Sequence, residues 1–180
     1  MSNGQKPLPR HPVRVFYGET MQTTISALIS GKERLDRILD AEGYTGRRVM
    51  GYKLPRWQRK DTWTEEQAIR FIESIYMGAC LGTYMINESE TDPEIDGIVL
   101  DAQQRLLSLE KYINDEFRVP APDGNAYLWS DLTESERAHF YRIPWAWIQT
   151  HYNSEQLCVD AYNRHNYGGT AHLESEFATL

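Results

Sequence analysis

The period of the apolar positions changes several times along this chain, and each change marks an element. Residues 1–15 carry three prolines and little pattern, which predicts a flexible arm ahead of a single domain over 16–180. Met21, Ile25, Leu28 and Ile29 share a helical face and predict a helix over 19–30 ended by Gly31. Leu35, Ile38 and Leu39 predict a second helix over 32–42 that stops at Gly43. Thr64 to Gln67 form a capping box, with Trp63 placed to staple onto Ala68. The helix it opens puts Phe71, Ile72, Ile75 and Tyr76 on the same face and ends at Gly78. Leu81–Ile86 reads as a strand, followed by an acidic loop over 87–94.

The most informative change falls at residues 95–112. Ile98-Val99-Leu100 is a short run suited to a strand buried on both faces. Helical spacing then takes over, with Leu106, Leu109, Tyr112 and Ile113 on one side. Between them stand Asp101, Gln103, Gln104 and Arg105. A strand end meeting a helix start collects unpaired N–H groups and the positive end of a helix dipole, so it suits an anion. Asp101 can cap the helix there, hold a metal or orient a water. Downstream, 117–131 is loop-rich and Thr133 caps a short helix over 132–140. Ile143–Thr150 has the composition of an edge strand because it contains Pro144. Asn153-Ser154 opens a last helix that runs to about 163 and breaks at Gly168-Gly169.

Composition narrows the class. A chain of 180 residues with 41% hydrophobic content can bury one proper core. No apolar run reaches the length of a membrane span, and the N-terminus has no signal-peptide character. Cys80 and Cys158 lie in no metal-ligand spacing, so a reduced, cytoplasmic protein with two small buried thiols is expected. The net charge of −7 hides an asymmetry: residues 1–60 hold twelve Lys/Arg against five acids, and the remainder is strongly acidic. The basic third is a candidate DNA-contacting face, with internal pairing of the two halves as the plainer alternative.

Tyr52–Trp63 supplies further chemistry. Pro55 favours an extended path, and Arg56, Arg59 and Lys60 alternate with Trp57 and Trp63. Such a mixture can grip a polyanion while a ring stacks on a base; core tryptophans with solvated cations are the simpler account of this segment alone. The histidines sit at no metal-ligand spacing.

Three segments taken in order resemble the DGQQR-motif family, the ParB/sulfiredoxin-like N-terminal domain of GmrSD-type restriction enzymes. They are Leu54-Pro55-Arg56-Trp57-Gln58-Arg59 with Trp63, Asp101-Ala102-Gln103-Gln104-Arg105, and Tyr162 to Leu173 around Arg164, Asn166, Gly168 and Gly169, with Glu174 or Glu176 after them. The resemblance implies an α/β (α+β) fold, a small mixed sheet with surrounding helices. It also implies a pocket for a nucleoside triphosphate with Mg²⁺. By position, Asp101, Gln104 and Arg105 become the catalytic candidates, with Asp101 also the metal ligand. Gln58, Arg59, Gln103, Arg164, Asn166 and Gly169 become the nucleotide-binding candidates. The function implied is NTP binding and hydrolysis linked to DNA restriction, anti-restriction or DNA modification.

Two other readings stay open: a silent binding protein that regulates or blocks a defence complex, and a metal-dependent DNA nickase. The partners implied are the nucleotide, DNA, a nuclease or defence protein, and a second copy of the chain, without a membrane. Larger relatives continue into a nuclease domain; no His-Asn-His pattern occurs here, so a nucleotide-sensing half is expected, of a kind that suits a phage protein. The signature glycine is Ala102, which would distort the corner if that position needs a positive φ.

Overall fold

The structure is a computed structural model that describes residues 11–167. Eight strands and five helices follow in the order β1 (Glu19–Thr24), α1 (Ile25–Ala41), β2 (Arg48–Val49), β3 (Tyr52–Lys53), α2 (Glu65–Tyr76), β4 (Tyr84–Asn87), β5 (Ile98–Asp101), α3 (Gln103–Ile113), β6 (Val119–Pro120), β7 (Ala126–Tyr127), α4 (Glu134–Tyr141), β8 (Pro144–Thr150) and α5 (Glu155–Tyr167). Six strands make one mixed sheet in the order β1-β8-β4-β5-β3-β2, and β6-β7 form a separate ribbon. The fold is thus α/β with a small mixed sheet, as the resemblance implies.

The sheet is buried on both faces, and alternation along its central strands sorts the core. Tyr84, Ile86, Val99 and Trp145 pack on one side with α1 to α4, and Met85, Ile98, Leu100 and Ile148 on the other with α5. On the first side Trp145 is wedged between Phe71 and Tyr84, with ring centroids 5.7 and 5.1 Å away. Trp147, its alternate neighbour on β8, is half-buried and stacks on Tyr84 instead.

Several expectations change. Residues 19–42 are not two helices but a strand followed by one helix. The alternation of Glu19–Thr24 pairs antiparallel with β8, and Thr24 caps α1 by accepting from the Ala27 N–H. Gly31 therefore lies inside α1, where no clash or positive φ demands a glycine. Strand β8 is interior rather than at an edge, because β1 covers its outer side; Pro144 is its first residue, where a missing N–H costs least. Pro55 opens a turn closed by the Gln58 N–H on its carbonyl, so the segment folds back instead of extending. Helix α5 runs on to Tyr167 and carries Arg164 and Asn166. Cys80 is exposed; Cys158 is buried, and burial pushes its thiol up to about 12. The capping box at Thr64 and that at Thr133 both form as read. Among the described residues, no helix is long and apolar enough to cross a membrane.

Candidate functional site at the strand to helix corner

The corner forms where β5 hands over to α3. Asp101 is the last residue of the strand and does not cap the helix. The N-cap position belongs to Ala102, whose backbone is left-handed at φ 72° and ψ 23° and whose side chain accepts nothing. The position does require a positive φ, and the alanine adopts it: the Leu106 N–H still reaches the Ala102 carbonyl at 3.0 Å, so α3 starts normally. The strain is about 1 kcal/mol. With no side-chain cap, the first-turn N–H groups stay open at the positive end of the helix.

The segment opposite is pinned onto this corner at three places. Arg47 donates to the carbonyls of Pro55, Gln58 and Arg59, at 2.7 Å for Gln58. Gln104 accepts from the Thr62 and Trp63 N–H groups at 3.1 Å each and donates to the Lys60 carbonyl at 3.3 Å. Lys111 pairs with Asp61. Gln104 thus works as a clamp that holds Lys60–Trp63 against α3. Behind the turn, Trp57 is a core anchor, edge-on to Tyr162 at 5.3 Å and donating to the Glu155 carboxylate at 3.1 Å.

What the pinning encloses is a cavity of about 90 Å³. Gln58, Arg59, Asp101, Gln103, Gln104, Arg105 and Asn166 all stand on its wall, joined by Ala102, Trp63 and Tyr162. Arg164 is exposed on α5 and off that wall, and Gly169 lies outside the described residues. Gln103 and Gln58 are 5% and 4% exposed. Yet both amide atoms of Gln103 and the Oε1 of Gln58 find no hydrogen-bond partner among the described residues. Buried polar atoms are nearly always paired, so these three take a partner that enters the cavity, water or ligand.

Arg105 faces another way. Its guanidinium donates to the carbonyls of Leu81 (2.5 Å) and Thr83 (2.9 Å) and lies 3.4 Å from Asp101. Burial lowers its pKa, against the opposing pull of Asp101. The loop it grips turns at Gly82 with φ +66°, where an added Cβ would lie 2.6 Å from the Arg105 Nη1. Arg59 has no ion-pair partner among the described residues, which leaves it the available cation on the wall.

Elsewhere in the basic third, several described cations are paired within the fold. Arg48 pairs with Asp40, Lys32 with Asp36 and Glu110, and Arg56 with Glu155. A much larger cleft of about 990 Å³ lies between α2, the β6-β7 ribbon and α4, and holds none of the candidate residues. Among the described residues no three His, Cys, Asp or Glu side chains are grouped to hold a metal. Magnesium commonly takes one or two carboxylates and completes its shell with phosphates and water, so Asp101 fits as a single protein ligand.

The sequence profile of the family described as GmrSD restriction endonuclease, N-terminal domain, matches residues 36–174. The chain belongs to this family. No curated protein and no solved structure matches it. Within the GmrSD-type domain seen here, the site residue that sequence reading passed over is Arg47. It follows Gly46 in an unremarkable basic pair, and only the fold shows that it grips three carbonyls of the site turn.

Proposed function

We propose that this GmrSD-type domain binds a nucleoside triphosphate at the Gln58–Gln103 cavity and hydrolyses it, in the service of DNA restriction or modification. The observation that carries the proposal is the set of three unpaired, buried amide atoms beside Arg59 and an uncapped helix start. Arg59 supplies charge to the phosphates, as does the positive end of α3. Asp101 holds Mg²⁺ or orients the attacking water. Gln104 and Arg105 act by positioning, since one fixes the Lys60–Trp63 segment and the other fixes the Gly82 loop. The small cavity takes in only part of a nucleotide, so the remainder lies outside it.

A second reading, a catalytically silent binding protein, draws support from Arg105, whose guanidinium is occupied by the protein's own carbonyls. Calorimetric titration of ATP, GTP, CTP and UTP with Mg²⁺ into wild type and Arg59→Ala tests the main proposal. Saturable binding of one or more nucleotides, weakened by the substitution, is expected. Phosphate release is then expected from wild type and not from Asp101→Asn. Failure of all four to bind refutes the proposal; binding without turnover leaves the silent reading in place.

A further inference from the structure

Two surfaces of this chain complement one another: the large cleft between α2, the β6-β7 ribbon and α4, and the segment that leads into β1. The cleft encloses about 990 Å³, room for several side chains. Tyr76, Met77, Tyr112, Pro122 and Leu132 give it an apolar lining, and Met77, just past the end of α2, is 79% exposed. Each of the three elements around it adds a carboxylate: Glu73 from α2, Asp123 from the ribbon turn and Glu136 from α4. Asp131 is a fourth, offset by Arg118 at 2.8 Å. The Tyr127 hydroxyl holds the Asp123 carboxyl at about 2, and Thr133 lowers that of Glu136, so both stay charged. No Lys or Arg stands on the wall. An apolar cleft rimmed in this way favours an apolar segment that carries cations, and it repels a nucleic-acid backbone.

The chain itself carries such a segment. Residues 1–18 hold three Lys/Arg and no acid. Within the described part of them, Phe16 is half-buried against Tyr152, with ring centroids 6.4 Å apart. Alternation then turns Val13, Val15 and Tyr17 away from the core. These three are half of the six large apolar side chains exposed among the described residues. Arg14 stands between them, exposed, with its guanidinium over the Tyr17 ring at 4.8 Å.

We infer that the cleft of one copy receives the Val13–Tyr17 strap of the next. The strap enters β1 at Glu19, whereas α4 leads into β8 beside Thr24 at the other end of that strand. Six residues of strand, about 20 Å, lie between the two ends, so the contact joins copies and does not close within one. Because the two surfaces differ, the contact is head-to-tail and builds a ring or an open chain. No residue of the Gln58–Gln103 cavity takes part, so the inference stands apart from the nucleotide reading.

The test is sedimentation velocity of the full chain over a rising series of concentrations. Wild type is expected to pass from one chain to two and more, and raised salt to weaken that association about tenfold. Met77→Lys in the cleft and Val15→Glu on the strap should each weaken it about tenfold or more, with urea unfolding as the check that each variant folds. Mixed in equal amounts, the two variants should form a pair that grows no further, since one keeps a sound strap and the other a sound cleft. Wild type that stays a single chain at every concentration overturns the inference and leaves the cleft to a basic segment of another protein. Association indifferent to salt also overturns it, even if neither variant folds. So does a folded Met77→Lys that assembles like wild type, or a mixture of folded variants that forms no pair.

Discussion

Removal of the Arg105 side chain separates a structural guanidinium from one reserved for ligand. Two hydrogen bonds from a charged donor to main-chain carbonyls, those of Leu81 and Thr83, are lost in Arg105→Ala. Each such bond is worth about 1.5–3 kcal/mol. Leu81 and Thr83 are only half-buried, so water recovers part of this and the lower end applies. The arginine also bears a desolvation penalty, visible in its lowered pKa, which the substitution removes. The expected loss is about 2 kcal/mol, or roughly 4–8 °C in melting temperature for a chain of this size. Arg105→Lys keeps the charge but not the fork, so it reaches one carbonyl and loses about half as much. Urea unfolding followed by tryptophan fluorescence measures both, and Trp145, which donates to the Gly82 carbonyl at 2.9 Å, reports on the same loop. The reasoning fails if Arg105→Ala unfolds within about 0.5 kcal/mol of wild type, well under the worth of one charged hydrogen bond.

Gly82→Ala forces a side chain into a positive-φ position and within 2.6 Å of the Arg105 Nη1, so a loss of about 2 kcal/mol is expected. In an Arg105→Ala background the steric part vanishes; a double-mutant cycle by urea unfolding that shows strict additivity contradicts the clash. Gly31→Ala should stabilise by about 0.5–1 kcal/mol, because the helix interior there is open to a Cβ and has no positive φ. Glu110 is held above the carboxylate range by burial, against the pull of Lys32 and the Met50 N–H. The folded state therefore keeps that proton more tightly than the unfolded chain does. The stability Glu110 contributes is complete below about pH 4.3 and is lost as pH rises through its raised value. Glu110→Gln mimics the protonated form, so the gap between variant and wild type should move in the variant's favour over that rise; parallel unfolding curves would sink the assignment.

The place where the candidate residues gather was legible because the motif segments and the cavity coincide. Seven of the candidate residues stand on the cavity wall; six of them belong to the Pro55 turn, the strand end at Asp101 or the start of α3, and Asn166 comes from α5. The chemistry assigned to them was less legible. Arg105 and Gln104 look alike as polar residues one step apart, yet both are spent on carbonyls or N–H groups more than twenty positions away in sequence. Gln103, just before them, has both amide atoms unpaired among the described residues. Which amide is free depends on what the fold brings to it. Asn87 shows the same limit. It stands at the head of the acidic loop, yet it is fully buried and bonds to Ile95, Thr150 and Tyr152.

The sequence by itself determined the elements whose signals are local. Capping boxes at Thr64 and Thr133, the apolar face of α2 and the doubly buried run before Asp101 act within a few residues, so pattern suffices. Tertiary structure decided the rest. Glu19–Thr24 became a strand because β8 offers it a partner, and Pro144 entered an interior strand because it sits first in it. The left-handed Ala102 is held by a helix and a strand that both form around it. Pairing energy from distant chain outweighs local propensity at these places, and no window of neighbouring residues contains that energy.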